Sequence, residues 1–271
     1  MTKQPATGAH GGAQRVAEAL MAQIRSGTLR PGDQLPTIAA LADEHGVNKN
    51  TASKAVVSLK ATGVLSGLAG GSTWVRVPPP NKRRHNIRYH SEKEAVRLPE
   101  SDRSAAGVSE ADSGIPLNDL HEDTADYSVI ESPKEIGEAL GIPPGAPVLR
   151  RVYTRRHARK AGASRSISYI PYDLVRGNPE LLDSTREPWP GGTMHQLYTI
   201  GVELDRIVDH VTASMPTPEE VRDFDIPPSV PVIRIRKVSY STDDIPVEVT
   251  DIPIPADRIE LLYTTQLERW K

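Results

Sequence analysis

Apolar residues recur at helical spacing three times within the first 65 positions. Val16, Ala19, Leu20 and Ile24 form one stripe, Ile38, Leu41 and Ala42 a second, and Ala52, Ala55, Val56 and Leu59 a third. Between the first two, "SGTLRPGDQLP" supplies Gly27, Pro31, Gly32 and Pro36, which break the helix and turn the chain. Thr37 is placed to cap the second helix and Asn48 the third, since their short oxygen-bearing side chains can accept from N–H groups that a helix start leaves free. Gly46 suits the left-handed residue between them. Two short helices joined by such a turn predict a helix-turn-helix. The period then changes. Val64 and Leu65 open a strand, "GLAGGS" is a turn, and Thr73, Val75 and Val77 alternate along a returning strand. This predicts a two-stranded wing. Gly70 and Gly71 give it a tip without side chains, able to approach another backbone closely.

The third helix has a polar face opposite its apolar stripe, with Lys49, Asn50, Ser53 and Lys54. Charge gives that face a purpose. Met1–Arg88 holds 12 basic and 4 acidic side chains, a net of +8, against 21 and 31 in the remainder, a net of −10. A basic head on an acidic body brings a polyanion to the head. The candidate DNA-binding set is Thr37, Asn48, Lys49, Asn50, Thr51, Ser53, Lys54, Gly70, Gly71, Ser72 and Thr73. Lys49 can reach a guanine or a phosphate, and Asn50 can pair with adenine or stay solvated. The hydroxyls of Thr37, Thr51, Ser72 and Thr73 can bond phosphate oxygens or serve as caps and turn ties.

The stretch "IRSGTLRPGDQLPTIAALADEHGVNKNTASKAVVSLKATGVL", with the Gly-rich wing, resembles the winged helix of the GntR family of bacterial transcription regulators. The resemblance implies a winged helix-turn-helix DNA-binding domain over residues 13–78. Family members carry arginines soon after the "LP" motif and early in the recognition helix; Ala39, Lys49 and Ser53 stand there in this chain.

Residues 79–124 read as a linker. "VPPPNKRRHNIRYH" stiffens the exit from the wing, and Lys82, Arg83, Arg84 and Arg88 either extend the basic surface or are solvated. The chain beyond it is polar, acidic and poor in large apolar residues, mostly loop, with short strands expected near Tyr89–Val96 or Tyr127–Ile130.

The acidic body contains a duplication. "SPKEIGEALGIPPGAPVLRRVY" and "TPEEVRDFDIPPSVPVIRIRKV" each open with a hydroxyl cap, a Pro and a Glu, pass through "IPP", and continue as "PV" and a basic strand. A further strand comes after each: "SRSISYIPYDL" and "IPVEVTDIPIPADRI". Two copies of helix, strand, strand would pair about a pseudo-twofold axis into one mainly antiparallel sheet. Between them, Met194–Ile200 suits a helix and Glu203–Ala213 a long strand. The fold class expected is therefore α+β.

With "GGTMHQLYTIG", "IPVEV" and "PADRI", this organisation resembles the UTRA effector domain of HutC-type GntR regulators over residues 125–271. UTRA domains share the chorismate lyase fold. The resemblance implies binding of a small metabolite and transmission of that binding to the DNA heads of a homodimer. Arg151, Tyr153 and Arg155 alternate along one strand face, where relatives present arginines to an anionic group; Tyr153 and Arg155 are the nearest equivalents. Thr193 and Glu248 occupy the family's hydroxyl and acidic positions, whereas Ser166 replaces a frequent acid and Ile254 a frequent tyrosine. The implied ligand is a small anionic or hydroxyl-rich metabolite, its anion near Arg155 and a hydroxyl near Glu248.

Other classes find no support in the sequence. The 271 residues contain no cysteine, which excludes disulfides and thiolate metal sites. No apolar run is long enough to span a membrane, and "MTKQPATGAHGGA" lacks the hydrophobic core of a signal peptide, so the expected compartment is the cytoplasm. There is no Gly-rich nucleotide loop, helical His pair or nucleophile elbow, and neither an enzyme nor a bound cofactor is expected. The expected function is an effector-responsive repressor that binds an inverted-repeat operator as a dimer. The alternatives are a constitutive DNA-binding regulator whose body only dimerises, and an enzyme of the lyase fold.

Overall fold

The computed structural model describes residues 11–67, 71–77, 82–105, 120–157 and 163–268. The chain divides into two compact units. One comprises Met1–Pro79 with Met215–Val221 and Ile226–Val230; the other holds the rest.

The N-terminal part has helices α1 (Gly12–Ser26), α2 (Ile38–Glu44) and α3 (Lys49–Ala61) and strands β1 (Leu65–Ser66) and β2 (Trp74–Val75). The three apolar stripes, Ala19 apart, meet in one core with Leu35, Leu65 and Val75. The caps form as the sequence expects. Thr37 accepts from the Ala40 N–H at 3.2 Å, and Asn48 from the Thr51 N–H at 2.8 Å. Gly46 takes the left-handed conformation with φ 62°. The wing strands are shorter than expected, at two residues each, and β2 is shared. It pairs with β1 and also with the segment before α2, through Gly32 N–H to Val75 O, Val75 N–H to Asp33 O and Leu35 N–H to Thr73 O. Val77 lies beyond the strand and is exposed.

The 79–124 stretch departs from the linker reading. Lys82–His85 is a strand, β3, parallel to β10 (Ile259–Leu262) near the far end of the sequence. Tyr89–Val96, expected as a strand, lies mostly within helix α4 (Arg88–Ala95), and α5 spans Glu100–Ala105. Tyr89 and Val96 suggest a strand, but "HSEKEA" between them favours a helix, and the Arg88–Glu92 pair one turn apart (2.7 Å) supports it. Two of the basic residues here meet acids far along the chain. Arg83 pairs with Glu260 at 2.8 Å, and Arg84 bonds Tyr89 Oη at 2.7 Å beside Asp209.

The C-terminal sheet has six antiparallel strands in the order β4-β5-β6-β9-β8-β7. These are β4 (Leu120–Glu131), β5 (Pro147–His157), β6 (Ala163–Pro171), β7 (Leu204–Ser214), β8 (Val232–Ser241) and β9 (Pro246–Pro255). Helix α6 (Lys134–Leu140) follows β4, α7 (Tyr172–Val175) follows β6, α8 (Gly192–Thr199) precedes β7, and α9 (Pro218–Asp223) follows it. The duplication is thus one strand longer than its sequence signature: β4-α6-β5-β6 and β7-α9-β8-β9, joined by the central β6–β9 pairing of Ile167, Ser168 and Tyr169 with Asp251, Thr250 and Val249.

Only the second copy forms the expected capping box. Thr217 N–H donates to Glu220 Oε2 (2.8 Å), and Glu220 N–H to Thr217 Oγ1 (3.2 Å). In the first copy Pro133 takes the cap position and Ser132 Oγ is buried without a partner. A Cβ placed on Gly137 would lie 3.1 Å from that oxygen, so Ser132 is packed under the helix and not aimed at its end.

Alternate residues feed two cores. Leu149 and Ile170 belong to the core with α7, Leu197 of α8 and Leu204. Val148, Tyr169, Val238 and Val249 belong to the core with Ile136 and Leu140 of α6. The period of two assigns these cores to opposite faces of the sheet.

Candidate functional site

Two arrangements carry chemistry. The first is the outer face of α3. Ala52, Ala55, Val56 and Leu59 are buried, and Lys49, Asn50 and Lys54 are exposed. Ser53 and Thr51 are half-buried, and Asn48 serves as the cap. Among the wing candidates, Gly70 lies outside the described residues. Gly71 and Ser72 are exposed, Thr73 is half-buried, and Ser72 Oγ accepts from Gln34 Nε2 at 3.1 Å. Val57, which the periodicity alone did not single out, is 60% exposed. It lies seven residues after Asn50 and three after Lys54, so it continues their stripe. An apolar side chain there is suited to a thymine methyl in a major groove.

The second arrangement is a buried ionic cluster on the α8 side of the sheet. Arg151 on β5 is only 1% exposed. Its Nη1 donates to Gln196 Oε1 (2.5 Å). Its Nη2 reaches Ser168 Oγ (2.7 Å), Glu248 Oε1 (2.9 Å) and Thr193 Oγ1 (3.0 Å). Two hydrogens serve three oxygens there, so one bond is shared. Ser168 Oγ in turn donates a hydrogen bond to Glu248 Oε1 (2.8 Å). Glu248 Oε2 accepts from Lys237 Nζ (2.9 Å) and Ser239 Oγ (3.1 Å). Register explains the convergence. Arg151 lies opposite Ser168, Ser168 opposite Thr250, and Ser239 opposite Glu248, which puts these side chains on one face of four adjoining strands.

An outer layer surrounds this centre. The rings of Tyr127 and Tyr153 lie 5.9 and 5.8 Å from the Arg151 guanidinium. Their hydroxyls are 3.0 Å apart, and both reach Glu187 Oε1, at 2.5 and 3.1 Å. Burial pushes the Tyr127 phenol up to about 12, with Arg151 opposing and Glu187 reinforcing; burial likewise raises Tyr153. Both hydroxyls therefore remain protonated donors at neutral pH.

Burial alone would raise the Glu248 carboxyl, but Lys237 and Arg151 overcome it and hold the group down at about 2. The sign of the linkage follows. A carboxylate whose folded pKa lies below its ordinary value contributes stability that is present above about pH 4.5 and is lost as pH falls toward 2. The expected result is that the melting temperature of wild type falls more steeply across this window than that of Glu248→Gln. Equal slopes would show that the carboxylate is not held ionised by its neighbours.

Three sequence candidates, Arg151, Thr193 and Glu248, meet here, and Tyr153 lies in the outer layer. Arg155 does not join them. It is four residues along the same strand, about 13 Å away, and pairs with Asp123 at 3.0 Å on a half-exposed part of the sheet. The anion expected near Arg155 therefore has its buried cationic counterpart at Arg151. Ser166 lies opposite Tyr153 and makes none of the bonds described; the serine of the cluster is Ser168, two residues on. Tyr127, Glu187, Gln196 and Lys237 were not anticipated. The duplication contained a signal for one of them, since Lys237 stands at the position of β8 that Tyr153 holds in β5. Glu187 comes from an irregular loop that no periodicity marks.

Among the described residues there is no group of three or more His, Asp and Glu side chains suited to a metal ion, and no helix long and apolar enough to cross a membrane. Comparison with known proteins identifies two domains. Residues 12–75 match the family described as bacterial regulatory proteins, gntR family, and residues 120–260 match the UTRA domain. An uncharacterized HTH-type transcriptional regulator of Streptomyces coelicolor is 28% identical over 242 residues, 87% of this chain and 85% of its own length. The HTH-type transcriptional repressor NagR of Bacillus subtilis is 25% identical over 227 residues, 83% of each chain. A crystal structure of a GntR-family transcriptional regulator shares the fold with a TM-score of 0.60 at 24% identity, over 96% of this chain and 99% of that one. The two sequence relatives are named as transcription regulators. The chain belongs to the GntR family: it is a DNA-binding transcription regulator with an N-terminal winged helix-turn-helix and a C-terminal UTRA domain.

Proposed function

We propose that this regulator is a cytoplasmic, effector-responsive repressor that binds an inverted-repeat operator as a homodimer and leaves it when a small anionic or hydroxyl-rich metabolite enters the cluster around Arg151. The observation that carries the reading is the burial of that ionic cluster. A core needs no buried arginine and glutamate, because well-packed apolar residues serve stability as well or better. Here β5, β6, α8 and β9 together contribute Arg151, Ser168, Thr193, Gln196 and Glu248. A ligand that meets such groups in one arrangement of the chain and not in another shifts the balance between them. Dimeric binding follows from the small helix-turn-helix head, which reads one half-site, so two heads read an inverted repeat about one helical turn apart. The relative NagR is named a repressor, which supports the direction of control.

One observation favours a second reading. Glu248 already answers the charge of Arg151, so the cluster also suits a body that only dimerises and a head that binds DNA constitutively. A thermal-shift screen of sugar acids, sugar phosphates and amino acids on the full chain separates the two, combined with binding to DNA selected by the protein from random sequence. A compound that raises the melting temperature and weakens DNA binding tenfold, a preference of about 1.4 kcal/mol per site, supports the effector reading. A dimer by light scattering with no responsive compound supports the constitutive one.

A further inference from the structure

Glu187 is held more closely than a loop carboxylate requires. Its Oε1 accepts from Tyr127 Oη on β4, Tyr153 Oη on β5 and Gln196 Nε2 on α8, at 2.5, 3.1 and 3.0 Å. Its Oε2 accepts from the Trp189 N–H at 2.8 Å. Donors from three separate elements thus converge on one oxygen, while the acceptor itself belongs to an irregular loop between the 3₁₀ turn Ser184–Arg186 and α8. Convergent donors over a buried cation describe an anion site.

The charges count the same way. Arg151 and Lys237 carry two positive charges, Glu248 and Glu187 two negative ones. With Glu187 in place the cluster is neutral; without it one positive charge is left over. Two polar atoms also remain unanswered with Glu187 in place. Arg151 Nε and Thr250 Oγ1 are buried and lack a partner, and Thr250 stands opposite both Ser168 and Lys237 in the sheet register. The internal carboxylate satisfies the outer donors and leaves these inner groups without a partner.

We infer that Glu187 is a displaceable stand-in for the effector: the ligand is a small monocarboxylate with further polar groups, its carboxylate takes the place of the Glu187 side chain against Tyr127, Tyr153 and Gln196, and the loop bearing Glu187 leaves. The inference rests on the effector reading only in taking this cluster as the ligand site. A single carboxylate matches the one-charge deficit, whereas a dianion would bring a second negative charge with no buried partner. Displacement also gives the ligand unequal contacts with the loop-in and loop-out states, without which it could move no equilibrium.

The test uses the full-length chain with sodium acetate as the probe and sodium chloride of equal ionic strength as the control. In Glu187→Ala the carboxylate place is vacated. Acetate is expected to raise the melting temperature of this variant by about 3 °C or more, and to leave wild type and the space-filling Glu187→Gln unmoved. Glu187→Ser vacates the same place and is read in the same way if the alanine variant does not fold. The loop of Glu187→Ala has also lost its anchor, so the variant is expected to bind operator DNA about tenfold more weakly than wild type. No acetate-specific rise overturns the proposal. So does a rise accompanied by wild-type operator affinity, which would make Glu187 only a packing group of its own loop. If either negative result occurs while some metabolite releases wild type from DNA, the effector reading stands and this inference alone falls. An acetate response and weakened operator binding, with no metabolite active on wild type, supports the carboxylate subsite and removes the effector reading.

Discussion

Arg151→Met is expected to lower the stability of the C-terminal unit by about 3–5 kcal/mol, seen as a fall of about 10 °C in its melting transition. The methionine fills similar space, so the cost is electrostatic. Glu248 would keep Lys237 and two serines but lose the guanidinium on Oε1, and Gln196 and Thr193 would lose their bond to it as well. Removing one partner of a buried pair leaves the other charge in a medium that solvates it poorly, and this exceeds what the intact pair contributes. Arg155→Met is the control. Its pair with Asp123 is partly exposed, 27% and 22% at the two side chains, so its loss should cost about 1 kcal/mol or less. Calorimetry of the two variants decides the matter. If both melt alike, the cluster does not organise the sheet, and the assignment of a special role to Arg151 fails.

Lys49→Ala and Asn50→Ala are each expected to weaken operator binding by about 1–3 kcal/mol, roughly 5- to 150-fold, with no change in melting. Both residues are exposed on the first turn of α3, whereas Ala52, Ala55, Val56 and Leu59 hold the helix to the core. Removing the exposed groups therefore leaves the fold intact. The two variants should differ in kind. An asparagine that reads a base loses affinity at one base pair only. A lysine on phosphate loses it uniformly across sequences, with a shallower dependence on salt. Footprints and affinities unchanged in both variants would remove α3 from the reading role.

Much of this was legible in the sequence because it depends on short-range rules. The three N-terminal helices, their Thr37 and Asn48 caps and the Gly46 turn are set by spacing and by residues within four positions of each other. The duplicated strands of the body were legible for the same reason, through period-two alternation and repeated "IPP" and "PV" punctuation. The features that escaped depend on partners far along the chain. Lys82–His85 looks like solvated linker until Ile259–Leu262 offers an edge to pair with. The alternation placed Arg151, Tyr153 and Arg155 on one face, and the family resemblance put the anion near Arg155 and not Arg151. Burial and partners rank them, because the same alternation continues from under α8 to the half-exposed end of the strand, where Asp123 takes Arg155. Glu187 is the extreme case. Its loop has no period and no repeat, and its carboxylate gains meaning only where β4, β5 and α8 bring two phenols and an amide to the same oxygen. Local chemistry determined the elements and their faces. The tertiary fold decided which charges are buried together, since desolvation and charge pairing are properties of a place that several distant segments enclose.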